Sequence, residues 1–330
     1  MCRRTLLTNV VVIGLALAAA APAPVAAQNW PTRPVTMVVP LGAGSGLDVV
    51  ARVLSPRLSE LLGQSVIVEN VPGAGGMIGA ARVAKAAPDG YQFLLGTVGT
   101  HAQNQTLYRN PQYDAASDFA PVALVAEQPI VLIARKDLPA GNLQEFIAYT
   151  RANQEKMKYG SAGTGSAAHL ACALLNAAIG VDVTHVPYRG GGAAMQDLIA
   201  GLIDYQCPVV AIAAPQIESN LVKAIAILAK NRSPNLPKLA SAQEQGLADF
   251  DTGIWYAIFL PRSTPAAIVQ KLHDAAVATM NTAATQQRMA DIGAAFVAPD
   301  RRSPEYLAAF VASEIEKWAA PIKAAGIVVQ

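Results

Sequence analysis

The sequence is short of charge, of cysteine and of aromatic side chains, and each shortage removes a class of function. Charged residues make up 15% of the 330 and aromatic ones 6%, with no basic patch, so the electrostatic footprint of a nucleic-acid binder is missing and no nucleic-acid partner is expected. Three cysteines are too few for a disulfide-dense scaffold. The four histidines, His101, His169, His185 and His273, show no H-E-x-x-H and no close ligand spacing, so no metal is expected. No glycine-rich loop is followed by a Walker lysine, which argues against a nucleoside triphosphate. Ser45, Ser161 and Ser166 lack the G-x-S-x-G elbow, because Ala43, Tyr159 and Thr164 stand two residues before them. No repeat period is visible. The expectation is a protein that binds without a cofactor and does no chemistry.

What is present begins with an export signal. Arg3 and Arg4 precede an uncharged apolar run, Val10 to Ala21, and Val25-Ala26-Ala27 supplies the small residues of a cleavage site. The run is shorter than the about 20 apolar residues that span a bilayer. Residues 1–27 therefore read as a signal peptide with the mature chain starting at Gln28, and a periplasmic location follows. An ordinary signal and a twin-arginine signal fit equally well. Loss of Arg3 and Arg4 takes the basic count from 25 to 23 against 23 acidic residues, leaving no net charge. Cys172 and Cys207 are the cysteines of the mature chain. Cys172 falls on an alanine-rich helix and reads as core, Cys207 ends a strand, and their spacing does not decide whether they pair.

The length fits two domains. The mature chain repeats the order strand, glycine-rich loop, helix, which predicts parallel α/β sheets with ligands beyond the carboxyl ends of the strands. Val35–Val39 is a strand, and the loop from Pro40 to Gly46 leads into a helix with Asp48 as its N-cap, Pro56 as a kink or break and Gly63 as its end. Strands follow at 65–69 and 91–95. Val122 to Ile133 reads as one strand crossing between lobes, and Asp251 to Leu260 as the return. Between them come a strand at Lys158-Tyr159, a helix from Ser166, a strand at 183–186, a helix around Met195 and a strand at 203–207. Thr264-Pro265 and Ser303-Pro304 are N-cap and N1 pairs that open the last helices.

Several of these loops deliver the chain from a strand end into a helix N-terminus, where unpaired N–H groups and the helix dipole favour an anion. Ser45, Thr97, Thr100, Ser161, Thr164 and Ser166 add hydroxyls, and Arg189 is the one candidate cation. This chemistry suits a small carboxylate. A hydrogen bond to a charged group contributes about 1.5–3 kcal/mol, so four or five supply roughly 6–15 kcal/mol against the about 8 kcal/mol of micromolar binding. The competing enzyme reading is a dinucleotide-binding oxidoreductase, from Gly42-Ala43-Gly44-Ser45-Gly46-Leu47 with Glu69 downstream. Leu47 stands where the third glycine of G-x-G-x-x-G belongs, and export removes the chain from cytoplasmic cofactors. A sensor that closes on the same ligand without transport is the other alternative.

Taken in order, Trp30-Pro31-Thr32-Arg33-Pro34, Val39-Pro40 to Arg52, Val68 to Gly76, Pro88-Asp89-Gly90-Tyr91, Tyr159 to Gly163 with Ser166 and His169, and His185 to Gly190 resemble the Bug-type receptors of tripartite tricarboxylate transporters. The resemblance implies a two-lobed type II periplasmic-binding-protein fold. Each lobe would be a mostly parallel sheet flanked by helices, the two joined by two crossover strands and closing by hinge motion. Residues 28–127 and 251–330 would form lobe 1 and residues 128–250 lobe 2. The implied function is capture of a small carboxylate by a monomer that delivers it to membrane transporter subunits. By position, the resemblance places Leu41, Gly44, Ser45 and Asp48, then Thr97, Thr100 and His101, on the ligand from lobe 1. From lobe 2 it places Ser161, Gly163, Thr164, Ser166 and His169, with Tyr188 and Arg189 opposite. Cys207 and Pro208 adjoin the cleft. Many relatives carry an aspartate where this chain has Pro208, which suggests a ligand without an ammonium group.

Overall fold

Strand β1 (Val35–Val39) is buried on both faces, as expected of a strand inside a sheet covered on both sides. It pairs in parallel with β2 (Val66–Asn70) and β3 (Gln92–Thr97). The crossovers are helices α1 (Gly46–Leu62) and α2 (Met77–Ala84). The computed structural model describes residues 29–324 and 326, apart from residue 249. The expected signal peptide and the start at Gln28 lie outside the described residues.

The first sheet is completed by β4 (Phe119–Gln128), β10 (Ile254–Pro261) and β11 (Ala295–Phe296), in the order β11-β4-β10-β3-β1-β2. The second holds β5 (Val131–Arg135), β6 (Lys158–Ser161), β7 (Thr184–Pro187), β8 (Tyr205–Gln206) and β9 (Val222–Ile227), in the order β7-β6-β8-β5-β9. Helices α3 (Leu143–Asn153), α4 (Ala167–Ile179), α5 (Gly191–Ile199) and α6 (Val210–Glu218) accompany the second sheet. Helices α7 (Ala266–Met280), α8 (Ala283–Asp291) and α9 (Pro304–Ala324) return to the first. Helix α9 buries Leu307, Val311, Trp318 and Ile322 along one face, and Glu314 sits in that stripe. Its carboxylate is held by the indole N–H groups of Trp255 (2.8 Å) and Trp318 (3.0 Å) and by Lys317 (2.8 Å). A buried charge is tolerable only when paired in this way.

Several expectations are corrected. The sheets are mixed rather than mostly parallel: β10 runs antiparallel to β3 and β4, and β5 runs antiparallel to β8 and β9. The chain leaves the first sheet along β4 and must re-enter it along β10, which reverses direction. The stretch from Val122 to Ile133 is two strands, β4 and β5, one in each sheet. Pro129 separates them, since proline has no N–H to give a ladder. Helix α1 continues through Pro56, which lies on the exposed side. Its N-cap is Ser45, not Asp48. Thr264 turns its hydroxyl back to the Pro261 carbonyl (2.7 Å) and leaves Pro265 at the cap of α7, whereas Ser303 accepts from Tyr306 N–H as a cap does. Cys172 in α4 and Cys207 after β8 form a disulfide, with their Cα atoms 5.6 Å apart.

Two crossover segments connect the sheets, residues 129–130 between β4 and β5 and residues 228–253 between β9 and β10, and they are tied to each other by the hydrogen bond from Leu228 N to Ile130 O. The loops of the two sheets also touch through glycine. A Cβ on Gly42 would stand 2.4 Å from the Arg189 carbonyl oxygen, and one on Gly75 would stand 2.6 Å from the Gly165 backbone. Gly42 has no positive φ, so its role there is space alone. Gly42→Val should weaken the contact between the two halves by about 1–3 kcal/mol through overpacking. Small-angle scattering is expected to give a larger radius of gyration for the variant at an unchanged helix content. An unchanged radius would show that the loops do not govern the approach of the halves.

Candidate functional site

Two loops of the same construction face each other across the gap between the sheets. In the first, Gly44 has a positive φ of 76° and Ser45 caps α1. The Ser45 hydroxyl accepts from Asp48 N–H (3.3 Å), and the Asp48 carboxylate accepts from Gly44 N–H (2.9 Å). In the second, Gly165 has a φ of 78° and Ser166 caps α4. The Ser166 hydroxyl accepts from His169 N–H (3.2 Å), and His169 Nδ1 accepts from Gly165 N–H (3.2 Å). The turns close alike, with Ser45 N–H on the Gly42 carbonyl (3.1 Å) and Ser166 N–H on the Gly163 carbonyl (3.0 Å). Each is a reciprocal cap of the capping-box kind.

These caps leave the first two N–H groups of each helix without acceptors. Among the described residues, none is paired with the backbone N–H of Gly46, Leu47, Ala167 or Ala168. All four residues line one cavity of about 40 Å³. Ser45, Ser166 and Thr97 bring hydroxyls to it, and Thr97 Oγ1 already accepts from Gly99 N–H (2.9 Å). Leu41, Pro208, Val209, Ile212 and Ile254 form apolar walls, and Gly191 brings a third helix start, that of α5. Tyr256 lines the cavity while donating its hydroxyl to Gln128 (2.9 Å). No charged side chain lines the cavity among the described residues. Helix N-termini in an apolar surround favour an anion whose charge they do not neutralise outright.

Of the residues expected at the ligand, Leu41, Ser45, Thr97, Ser166 and Pro208 line the cavity. Gly44 and Asp48 stand one layer behind. Burial raises the Asp48 pKa most, but hydrogen bonds from Arg52, Gly44 and Asn70 outweigh it and hold the carboxylate below its ordinary value. It is a brace for the loop. Asn70, at the end of β2, ties it further by donating to Asp48 and to the Leu41 carbonyl, both at 3.0 Å.

The other residues expected at the ligand do not line this cavity, and the structure gives them other surroundings. Thr100 spends its hydroxyl on Thr97 and on His101 Nδ1 (2.9 Å), closing the turn after β3. His101 is fully buried and stacked on Phe259 at 3.7 Å, away from the cavity. Ser161 is buried, and its hydroxyl holds Gly163 and His185 Nε2 (2.7 Å). Gly163 shapes that loop with a φ of 120°. Thr164 gives its carbonyl to the Tyr108 hydroxyl (3.2 Å), a contact between the two halves. His169 is the cap acceptor just described. Tyr188 donates its hydroxyl to Asp197 (2.6 Å), and Arg189 is exposed, meeting Gly42 with its carbonyl rather than the cavity with its guanidinium. Cys207 is consumed by the disulfide. Glu69, the acid of the dinucleotide reading, is held by two hydrogen bonds from Arg82, at 2.6 and 2.8 Å. Gly191, Gln206, Val209, Ile212, Ile254 and Tyr256 were not anticipated. The repeated spacing G-S-x-x-D at 44–48 and G-S-x-x-H at 165–169 marks the two capping loops but none of these six.

The histidines behind the second loop are neutral. His169 and His185 stack at 4.1 Å. Burial lowers His169 to about 3, with the neighbouring His185 adding to the effect, and burial lowers His185 to about 4. A protonated His169 could not accept from Gly165, so the loop requires the neutral ring.

The chain matches the family model described as the tripartite tricarboxylate transporter family receptor over residues 50–327. It is 40% identical to an Agrobacterium vitis protein described as lying in the TAR-I ttuE-ttuC' intergenic region, across 91% of this chain and 87% of that one. Among solved structures it is similar to MatC from Rhodopseudomonas palustris with bound malate, with a TM-score of 0.86, 39% identity and coverage of 89% of this chain and 100% of that one. It is similar also to the periplasmic binding protein BugD, with a TM-score of 0.87, 39% identity and coverage of 91% and 100%.

Ser166→Ala should cost about 1 kcal/mol of stability as a lost cap. It should also weaken anion binding by about 1–3 kcal/mol as a lost donor. Ser161→Ala should leave affinity nearly unchanged, and calorimetry on both variants separates the two positions. Acid should destabilise the fold in a defined window. The unfolded histidines take up protons from about 6.5 downward, while folded His185 and His169 resist until about 4 and 3. Stability contributed by the neutral pair is whole above pH 6.5 and is lost as pH falls through that range. His169→Asn, which keeps an acceptor near the Nδ1 position, should flatten the melting-temperature slope between pH 6.5 and 4. An equal slope would place the acid sensitivity elsewhere.

Proposed function

The chain belongs to the tripartite tricarboxylate transporter receptor family, and from that premise we propose that it captures a small carboxylate between its two lobes for delivery to the membrane subunits of such a transporter. The observation that carries this reading is the pair of capping loops, which set four residues with unpaired N–H groups, from opposite halves, on one cavity. A carboxylate bridging the two helix starts would gain hydrogen bonds from both lobes only when they meet, which couples binding to closure. MatC, a relative, holds malate, and a ligand of that class suits the donors and apolar walls of this cavity.

The export reading supports a periplasmic receptor: Arg3-Arg4, the apolar run to Ala21 and the close at Ala27 mark residues 1–27 for removal. The lobe boundaries proposed are 28–127 with 251–330, and 128–250, moving about the connections near Ile130 and Leu228 as a monomer. The receptor performs no reaction in this reading. The Ser161–His185 pair has the contact of a nucleophile and its base, but Ser161 is fully buried behind the loop. Ser45 and Ser166 are occupied as caps.

A thermal-shift panel of mono-, di-, tri- and aromatic carboxylates, α-amino acids and NAD(P) tests this on the purified protein. Carboxylates without an ammonium group should raise the melting temperature, by about 2.7 kcal/mol of stabilisation at a hundredfold excess over Kd. Amino acids and NAD(P) should not. Stabilisation by NAD(P) alone would restore the oxidoreductase reading, and tight binding of amino acids alone would overturn the inference drawn from Pro208.

A further inference from the structure

Gln206 is the polar side chain of the cavity wall that the receptor reading leaves unexplained. It lies at the end of β8, is fully buried, and lines the cavity beside Gly191. Its Nε2 donates to the Gly191 carbonyl (3.3 Å), which fixes the amide orientation, because the reverse would set two oxygens against each other. Its Oε1 is buried and has no partner. An unpaired buried acceptor costs about 1–3 kcal/mol. Gln206 lines a cavity to which the helix starts and the Ser45 and Ser166 hydroxyls offer donors.

We propose that Gln206 makes this cavity select a carboxylate that carries a hydroxyl, with Oε1 accepting the hydroxyl proton while the helix starts hold the carboxylate. The inference rests on the receptor reading and sharpens it to hydroxylated acids. A ligand that fills the cavity with CH₂ at this point leaves Oε1 without a partner. One with a hydroxyl satisfies it. An ammonium group is a donor too, but it would be a buried charge without a counter-ion, as no carboxylate side chain lines the cavity among the described residues. Pro208, the next-but-one residue, has no N–H and presents a ring, so it offers no competing partner.

The test is calorimetry with pairs of acids that differ by one hydroxyl: succinate against D- and L-malate, glutarate against D- and L-2-hydroxyglutarate, and propionate against D- and L-lactate. Wild-type protein should bind one hydroxy acid of at least one pair roughly 5- to 150-fold more tightly than its deoxy partner. 2-Fluorosuccinate, close in size to malate but unable to donate, should bind no better than succinate. Gln206→Met should bring hydroxy and deoxy partners to equal affinity, whereas a merely loosened cavity would weaken both alike and keep their ratio. Equal wild-type affinities within every pair, or fluorosuccinate binding as malate does, overturn the proposal. So does a ratio retained in Gln206→Met. If that variant does not fold, the fluorosuccinate comparison on the wild-type protein still decides. Binding of deoxy acids with no hydroxyl preference sinks this inference alone, while failure of every acid to bind sinks the receptor reading with it.

Discussion

The approach of backbone to backbone at the glycines is the constraint on which the site depends. Gly42 against Arg189 and Gly75 against Gly165 leave no room for a side chain, and that closeness brings the starts of α1 and α4 onto one cavity. A methyl group at either position would hold the halves apart, and the four free N–H groups would then face water separately. Each helix start alone offers a weak, screened attraction for an anion. Two of them converging on one cavity that no charged side chain lines, among the described residues, would act on the same ligand oxygens, and a low local dielectric would strengthen both.

The two capping loops reach one geometry with different chemistry. Asp48 is an anion, restrained by Arg52 and Asn70, and it stays charged because those partners outweigh its burial. His169 is neutral, kept so by burial beneath Tyr159 and His185. The first loop therefore fails only in strong acid, while the second loses stability across the ordinary range of histidine. Behind the second loop, the Cys172–Cys207 bridge ties α4, whose start lines the cavity, to the end of β8, which carries Gln206 and Pro208 into the same wall. The start of α4 and that stretch of wall are thus fixed to each other by a covalent link.

Much of this was legible in the sequence. The alternation of strand, loop and helix located β1, α1, β6 and α4, and the glycine-serine loops pointed to Ser45 and Ser166. The hydroxyls of these loops do not all reach the cavity. Ser161 and Thr100 serve their own turns, because a buried hydroxyl takes the nearest backbone partner before any ligand arrives. Gln206, Ile254 and Tyr256 carry no local signal: which strand residue ends at the cavity depends on register between distant strands, and β10 pairs with β3 and β4 across more than a hundred residues. The disulfide was equally hidden, since two cysteines 35 residues apart meet only when α4 has packed on its sheet.

The donors at the centre of the site belong to the main chain. Every residue except proline supplies the same N–H, so replacing Leu47 or Ala168 reshapes the wall without erasing the group that the proposed function sets on the anion. Heritable change therefore acts unequally on the two parts of recognition. The grip on the charged end passes through almost any substitution, while the walls and Gln206 are free to drift. A lineage built on this frame can exchange one acid for another in single mutational steps without passing through a form that holds none.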